Sequence, residues 1–335
     1  MLIALIALLT LAVSLVATGM VRRFALEGKL IDYPNDRSSH TVPTPRGGGL
    51  GILVAIATGM VVAGAAQAIP LWTGVTLFAG MSVLGMIGWV DDARGVPPLI
   101  RLVLHLIVGG LTVFFVGGFP TLLLGDVEVE LGIFGSVIAT VGVMWAINLF
   151  NFMDGIDGIA GSQAVLIFGV SGILLLVQGS FALCLLAVIF ASASLGFLAW
   201  NWPPAKVFMG DVGSGVMGYL VAALALMADR DRAVPVIVFA MVGGVFIYDT
   251  TVTLLRRLLR GKRPAEAHRD HAYQRMTRAW GRHLPVTLAA AAITLFLSGL
   301  AFISVLSPRL LPACGVVAIG LLSGVMVAAE RRFPM

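Results

Sequence analysis

The chain contains uncharged apolar stretches that are longer than a soluble domain can bury. Residues 47–90 and 158–205 each form a continuous run without Asp, Glu, Lys or Arg. A helix needs roughly 20 apolar residues to cross the hydrocarbon core of a bilayer, and it satisfies its own backbone there. Charged residues are only 12% of the 335, and the mean hydropathy is +1.00. These values exclude a soluble domain, a disordered chain and a disulfide scaffold, and they predict an integral membrane protein.

The apolar runs predict an all-α polytopic fold in which residues 1–335 form a single catalytic domain. The expected membrane spans, eleven in all, are residues 1–20, 47–66, 71–90, 100–118, 132–150, 160–178, 181–199, 212–228, 234–255, 285–305 and 310–329. The span 234–255 is the hardest to delimit because Asp249 falls inside its last turns. The first segment lacks a basic n-region and a cleavage site, so it is expected to stay as an anchor helix. Cys184 and Cys314 lie in apolar runs and imply no disulfide framework.

The distribution of basic residues predicts the orientation. Nineteen of the 22 Lys and Arg residues fall on one side of the predicted spans, and only Arg230, Arg232 and Arg309 fall on the other. Cytoplasmic loops are rich in Lys and Arg, so the N-terminus is expected outside and the C-terminus inside. The loop 119–131 on the outer side resembles a small hairpin. The basic pI reflects these loops, and nucleic-acid binding is not expected.

Polar clusters at four distant positions all fall on the predicted cytoplasmic side. They are Asp91-Asp92, Asn148–Asp157, Asn201–Asp211 and His268–His271. Polar groups at membrane depth are costly and usually functional. The four clusters are therefore expected to converge on one site.

The first two clusters are rich in carboxylates and carboxamides. Asp91 and Asp92 end a span and can face a divalent cation, or they can simply begin a solvated loop. The spacing N-x-x-N-x-x-D-G-x-D-G runs from Asn148 to Gly158. A helix C-cap with loop acids would account for Gly155 but not for four such groups at the end of a span.

The last two clusters carry features that favour phosphate. Asp211 lies between glycines at a helix start, where it can be a plain N-cap or a ligand of the Mg²⁺ that phosphates bring. Arg256 to Arg263 is a basic run that fits contact with anionic headgroups. His268 and His271 follow it, and phosphate binding is favoured for them over metal binding.

Together these motifs resemble the polyprenyl-phosphate N-acetylhexosamine-1-phosphate transferases over nearly the whole chain. The segments that carry the resemblance are Asp91-Asp92, Asn148–Gly158, Phe208–Ser214 and the His-Arg-Asp-His loop. The resemblance implies roles for particular residues. The implied catalytic residues are Asp91, Asp92, Asp157, His268 and His271. The implied metal ligands are Asp211 and Asp92. The implied substrate-binding residues are Asn148, Asn151, Asp154, Asn201 (at the uracil), Lys206, His40 and Arg46.

The resemblance also implies the reaction and the partners. A UDP-sugar would donate its sugar 1-phosphate to undecaprenyl phosphate in the bacterial inner membrane, at an active site facing the cytoplasm, with release of UMP. Mg²⁺ is the expected cofactor, Mn²⁺ is an alternative, and a homodimer is left open. Direct attack by the lipid phosphate is favoured over an aspartyl intermediate because a phosphomonoester is largely dianionic at neutral pH.

The donor sugar is expected to be a 6-deoxy-N-acetylhexosamine, such as the fuco or quinovo form, because His268–Gln274 resembles O-antigen initiating enzymes. Asp270 is expected to accept hydrogen bonds from sugar hydroxyls and to repel acidic substituents. UDP-N-acetylglucosamine is the alternative donor. A secondary transporter is the alternative class, although its site would be expected near the bilayer midplane.

Overall fold

The computed structural model describes residues 1–28, 30–34, 42–262 and 268–333. Within this part of the chain the fold is helical, apart from two small antiparallel pairs of strands. The helices are α1 (Leu2–Glu27), α2 (Gly49–Ala65), α3 (Leu71–Arg94), α4 (Pro98–Val116), α5 (Ile133–Met153), α6 (Ile159–Val177), α7 (Phe181–Asn201), α8 (Asp211–Arg230), α9 (Val236–Val242), α10 (Gly244–Leu259), α11 (Ala272–Trp280), α12 (His283–Leu306) and α13 (Leu311–Arg332). The strands are β1 (Ile31–Asp32), β2 (Thr44–Pro45), β3 (Thr121–Leu124) and β4 (Val127–Glu130).

The long helices confirm a polytopic all-α membrane protein. In the described residues, nine helices are long and apolar enough to cross a bilayer, and α9 with α10 would form a tenth span. Helix α2 has 17 residues, so at about 1.5 Å per residue it is shorter than a full crossing. The predicted spans therefore correspond to helices, although two of the eleven are not simple full-length crossings.

The span predicted at 234–255 is broken, and this corrects the single helix expected there. Helices α9 and α10 meet at Gly243 with an angle of 83° between them. Adjacent Gly243 and Gly244 provide no side chains to support a straight helix. The bend turns Asp249 toward the start of α11, where its carboxylate accepts backbone hydrogen bonds. An isolated carboxylate in the membrane would be far more costly than this arrangement.

Helix α8 forms the centre of the bundle and lies mostly inside the protein. Over the most apolar 18 residues of α8, 83% of residues are buried inside the protein, whereas the corresponding share for α1 is 22%. Peripheral helices instead expose large apolar side chains, such as Phe114 and Phe134, which is expected where a surface faces lipid. Cys184 and Cys314 are buried and free.

The alternating direction of the helices gathers the polar loops at one end of the bundle. Helices α3, α5 and α7 end there, and α4, α6 and α8 begin there. At the opposite end, β3 and β4 form the predicted hairpin, with Thr121 paired to Glu130. Arg232 and Arg309 attach the hairpin to neighbouring loops through ion pairs of 2.7 and 2.9 Å with Glu128 and Asp126. The first two strands pair Asp32 with Thr44 at the polar end.

Candidate active site

Three carboxylates from two helices meet at the polar end, and we call Asp91, Asp92 and Asp211 the carboxylate cluster. Asp92 accepts a hydrogen bond from the backbone N–H of Val212, at 3.3 Å, in the first turn of α8. Arg101 donates to Asp91 and lies 3.3 Å from an oxygen of Asp211, so it joins the two acids. The structure thus brings the first and third polar clusters together, as the sequence predicted.

The backbone at Gly210 allows this close approach. Its φ is +75°, a left-handed conformation that favours glycine. A side chain there would also place a Cβ only 2.6 Å from Oδ2 of Asp92. The glycine before Asp211 therefore makes room for the second carboxylate of the cluster.

The carboxamide of Asn151 links the second polar cluster to Asp211. It donates to Oδ1 of Asp211 at 2.8 Å and lies 3.2 Å from the hydroxyl of Ser214. Asn148, one turn earlier on α5, donates to the carbonyl of Met144 in its own helix. Asn151 is therefore part of the site geometry, whereas the amide nitrogen of Asn148 is used within α5.

Arg46, like Arg101, places a positive charge beside the carboxylate cluster. Arg46 forms an ion pair of 2.9 Å with Asp32 and lies 3.6 Å from Oδ1 of Asp92. Burial alone would lower the pKa of Arg46, but the charges of Asp32 and Asp92 raise it above its ordinary value. Arg46 therefore stays charged beside the carboxylate cluster, and its contact with substrate stays a prediction.

A cleft of about 320 Å³ opens beside the cluster, and its lining combines three charged residues with mostly apolar ones. The charged residues are Asp32, Arg46 and Asp92. The apolar residues are Val21, Phe24, Ala25, Leu30, Ile31, Leu50, Trp89, Ala93 and Val212, with Gly47 completing the lining. Asp91 does not line this cleft; Asp92 does. This composition suits an amphiphile whose charged head reaches Arg46.

The acids of the loop after α5 have different surroundings. Burial raises the pKa of Asp154 to about 7; the charge of Arg46 opposes this increase, and the charges of Asp92 and Asp157 add to it. Asp157 lies 3.0 Å from Nδ1 of His283 and accepts a hydrogen bond from the backbone of Ala205. Asp157, predicted to be catalytic, thus holds the start of α12 and the loop before α8.

Two predicted substrate contacts, Asn201 and Lys206, have partners within the protein in this structure. Asn201 is only 2% exposed; its oxygen accepts from the backbone of Gly158 and its nitrogen donates to the carbonyl of Val207, both at 2.9 Å. It therefore connects two loops rather than offering its amide to a ligand. The ammonium of Lys206 lies 5.9 Å from the centroid of Trp200. His40 lies outside the described residues.

The histidine loop, residues 268–271, lies against the second cluster. The ring of His271 is nearly parallel to that of Phe152, and the two centroids are 6.4 Å apart. The centroid of the His268 ring lies 5.0 Å from that of His271. Burial, together with the charges of His271 and Arg257, lowers the pKa of His268 to about 4, so this imidazole is neutral at pH 7.

The carboxylate of Asp270 is engaged by the protein, which alters the expectation that it contacts sugar hydroxyls. Arg257 donates to it, and His268 lies 3.9 Å away. Although burial opposes the change, the hydrogen bond and charge of Arg257 lower the pKa of Asp270. An acid that already has a buried arginine as partner is a weak acceptor for a neutral sugar, so Asp270 gives no physical basis for choosing between donor sugars.

The donor set of the cluster fits a Mg²⁺ ion bound largely by substrate. In the described part of the chain no group of three or more His, Cys, Asp or Glu side chains is arranged to hold a metal. However, Oδ1 of Asp92 is buried without a hydrogen-bond donor there, and Asp211 is close by. Mg²⁺ usually takes one or two carboxylates and completes its shell with water and phosphate oxygens. The residues therefore suit that mode and not a closed protein cage.

Sequence reasoning missed several residues that organise the site. Arg101 lies in the first turn of a membrane span. A charged side chain inside a span is costly and usually functional, and this could have identified Arg101 from the sequence. Asp249 gives the same signal, because it is a carboxylate inside the predicted span 234–255. Asp32 and His283 gave none, because their importance comes from partners that are distant in sequence.

Comparison with known proteins identifies the class. The glycosyl transferase family 4 profile matches residues 74–229. The undecaprenyl-phosphate alpha-N-acetylglucosaminyl 1-phosphate transferase of Yersinia pestis is 31% identical over 304 residues, which cover 87% of this chain and 80% of the relative. The decaprenyl-phosphate N-acetylglucosaminephosphotransferase of Mycolicibacterium smegmatis is 28% identical, with coverage of 84% and 77%. The phospho-N-acetylmuramoyl-pentapeptide-transferase of Streptococcus pneumoniae is 31% identical, with coverage of 66% and 70%.

The fold and these relatives define a multi-pass membrane enzyme of the phosphosugar transferase class. The chain belongs to glycosyl transferase family 4, and the predicted resemblance to polyprenyl-phosphate N-acetylhexosamine-1-phosphate transferases is confirmed.

Proposed function

We propose that this enzyme transfers an N-acetylhexosamine 1-phosphate from a UDP-sugar to undecaprenyl phosphate, with release of UMP. The observation that carries the proposal is the cleft beside the carboxylate cluster, whose lining combines Arg46 and Asp92 with mostly apolar residues. The names of the relatives support a polyprenyl phosphate as acceptor. The reaction takes place on the cytoplasmic face of the bacterial inner membrane and initiates O-antigen or another envelope polysaccharide.

In this proposal the acceptor phosphate lies near Arg46, and its isoprenoid chain runs along Phe24, Leu50 and Trp89. A phosphate oxygen attacks the β-phosphorus of the UDP-sugar. The bond between that phosphorus and the bridging oxygen breaks, and its electrons leave with UMP. Direct attack is favoured over an aspartyl intermediate because the phosphate is already anionic. It also suits Asp91, whose carboxylate is paired with Arg101.

Asp211 and Asp92 would hold Mg²⁺, with Mn²⁺ as an alternative. When bound, the ion supplies positive charge that stabilises the phosphate oxygens as the bond breaks. Asn151 orients Asp211 through its hydrogen bond of 2.8 Å. Asp154 and the histidine loop form the remaining wall, on the side where we place the donor.

We propose a 6-deoxy-N-acetylhexosamine as the donor sugar, on the basis of the segment His268–Gln274. The second candidate is UDP-N-acetylglucosamine, which the names of the Yersinia and Mycolicibacterium relatives favour. A pocket that merely fits a methyl group rejects an added hydroxyl by only about a hundredfold. The two candidates must therefore be compared by relative kcat/KM rather than by presence or absence of activity.

The test is a panel of UDP-sugars assayed with the purified full-length protein and undecaprenyl phosphate. We expect UMP release that requires both substrates and a divalent cation, together with a lipid-linked sugar diphosphate detected by mass spectrometry. Asp211→Asn is the inactive control. Uptake of the UDP-sugar into proteoliposomes without UMP release would instead support a transporter and refute the proposal.

A further inference from the structure

The carboxylate of Asp249 lies buried in the second half of the broken span and contacts the start of α11. It accepts hydrogen bonds from the backbone N–H groups of Ala272 and Tyr273, at 2.9 and 3.2 Å. Thr253 donates to the same carboxylate at 3.1 Å, and Nδ1 of His271 lies 3.4 Å from it. Asp249 is only 7% exposed. The hydrogen-bond donors to this carboxylate therefore come from the protein itself.

These contacts cap α11 from a different helix. The first N–H groups of a helix have no partner inside it, and a carboxylate placed there satisfies them and interacts favourably with the helix dipole. His271 immediately precedes α11, and its Nδ1 makes no hydrogen bond within the described part of the chain. The nearest carboxylate to this Nδ1 is that of Asp249, at 3.4 Å.

A second set of contacts fixes the same short segment against the polar loop after α5. The hydroxyl of Tyr273 donates to the carbonyl of Phe152 at 2.9 Å. A side chain on Gly155 would collide with that hydroxyl, so this position has room only for glycine. The ring of His271 stacks near those of Phe152 and Tyr273, whose centroids are 6.4 and 5.9 Å away. The imidazole is therefore packed against two aromatic rings.

We propose that Asp249 is the residue that positions His271 in the active site. It does so by anchoring the start of α11 to α10, so that the bend at Gly243 determines where the imidazole lies relative to residues 148–158. The inference rests on the proposed phosphosugar transfer, in which the histidine loop contacts the donor. Asp249 itself acts through His271 and α11, and it is not assigned a contact with substrate.

The first test compares Asp249→Asn with Asp229→Asn. Asp229 is a matched control, because it is also buried and also accepts a backbone N–H at a helix start, from Val236 at 2.7 Å, but at the opposite end of α8. We expect Asp249→Asn to lower kcat by about ten- to a hundredfold, the cost of a small displacement of a reacting group. The KM for the UDP-sugar should change far less, and Asp249→Glu should recover part of kcat. Asp229→Asn should keep the wild-type kcat.

The second test measures hydrogen–deuterium exchange of residues 268–281 in the full-length protein in detergent. Asp249→Asn should accelerate exchange in this segment, whereas Asp229→Asn should not. In a His271→Ala background, Asp249→Asn should lower kcat little further, because the two changes remove one function. Tyr273→Phe, which keeps the ring, should also lower kcat and leave KM near the wild-type value.

A wild-type kcat for Asp249→Asn, unchanged exchange in α11, or fully additive losses with His271→Ala would each overturn the inference. If Asp249→Asn fails to fold, Tyr273→Phe becomes the deciding variant. A wild-type kcat for Tyr273→Phe would also overturn the inference. Failure of the proposed function is distinct, since it would appear as no UMP release by the wild-type protein. The exchange measurement does not depend on activity and would still test the anchoring of α11.

Discussion

Removing the charge of Arg101 should destabilise the carboxylate cluster. Arg101 donates to Asp91, whose side chain is 8% exposed, and lies 3.3 Å from Asp211. At an effective dielectric of 20, two unit charges 4 Å apart interact by about 4 kcal/mol. The side chain of Arg101 is 29% exposed, so solvent reduces this value. Hydrogen bonds to charged groups contribute about 1.5–3 kcal/mol, and we expect Arg101→Met to lower the free energy of unfolding by about 2 kcal/mol.

The matched control is Arg94→Met, an exposed arginine at the end of α3. Unfolding is measured in mixed micelles, and turnover is measured as UMP release. Arg101→Met should unfold earlier than the control and lose most turnover, because the acids then repel each other. Arg101→Lys should recover part of both.

A double-mutant cycle with Asp91→Asn tests the cause. Once Asp91 is neutral, removal of Arg101 no longer leaves that acid unpaired, so the double variant should be more stable than additivity predicts. Asp91 retains a hydrogen bond from the backbone of Val96 at 2.7 Å, which limits the loss in either single variant. Additive losses, or an Arg101→Met protein as stable and active as Arg94→Met, would refute the role of Arg101 as counter-ion.

Three further outcomes are expected. Asp211→Asn should abolish turnover and leave the thermal midpoint near the wild-type value; near-normal activity with Mg²⁺ would contradict its assignment as a ligand. Arg46→Met should raise the KM for undecaprenyl phosphate more than that for the UDP-sugar, and the reverse pattern would place the acceptor elsewhere. The third outcome concerns pH: burial and the charges of His271 and Arg257 lower the pKa of His268 to about 4 in the folded protein. In the unfolded chain the pKa of a histidine is near 6.5, so between pH 6.5 and 4 the unfolded state binds more protons than the folded state. The wild type should therefore lose stability relative to His268→Gln as the pH falls from about 6.5 toward 4. Thermal midpoints of the two proteins that change in parallel with pH would contradict this.

The spans and the convergence of the polar clusters could be predicted because both follow from local signals. Long apolar runs show which segments cross the membrane. Successive spans run in opposite directions, so every second loop lies on the same side, and the basic loops identify that side as cytoplasmic. Asp91, Asn151 and Asp211 were identified in this way. The structure joins Asn151 to Asp211 by a hydrogen bond and Asp91 to Asp211 through Arg101. The family resemblance added an expected role for each matched position.

The remaining features depend on tertiary partners that no sequence pattern contains. The family resemblance implies that Asn201 contacts uracil. A sequence cannot show which groups bind to a side-chain amide, and in the fold this amide joins Gly158 to Val207. The bend at Gly243 was missed because the apolar pattern continues across it. Asp270 was interpreted by its charge alone, and its partner Arg257 lies on a different element.

The orientation of the active site can be tested with single cysteines. The end of the bundle that carries Lys206 also carries most of the basic residues, and such loops remain cytoplasmic. Asp126 lies in the turn of the hairpin at the opposite end. Cys184 and Cys314 are both buried, so their replacement by alanine provides a background for Lys206→Cys and Asp126→Cys.

We expect a membrane-impermeant maleimide to label Asp126→Cys in intact spheroplasts and Lys206→Cys only after permeabilisation. Both positions are exposed, so a difference in labelling reports sidedness rather than burial. The proposed reaction requires this result, because the UDP-sugar is made in the cytoplasm and carries charges that do not cross a bilayer. Labelling of Lys206→Cys in intact spheroplasts would place the carboxylate cluster outside. A donor that is charged and cytoplasmic could not reach it there, and the orientation and the proposed reaction would fail together.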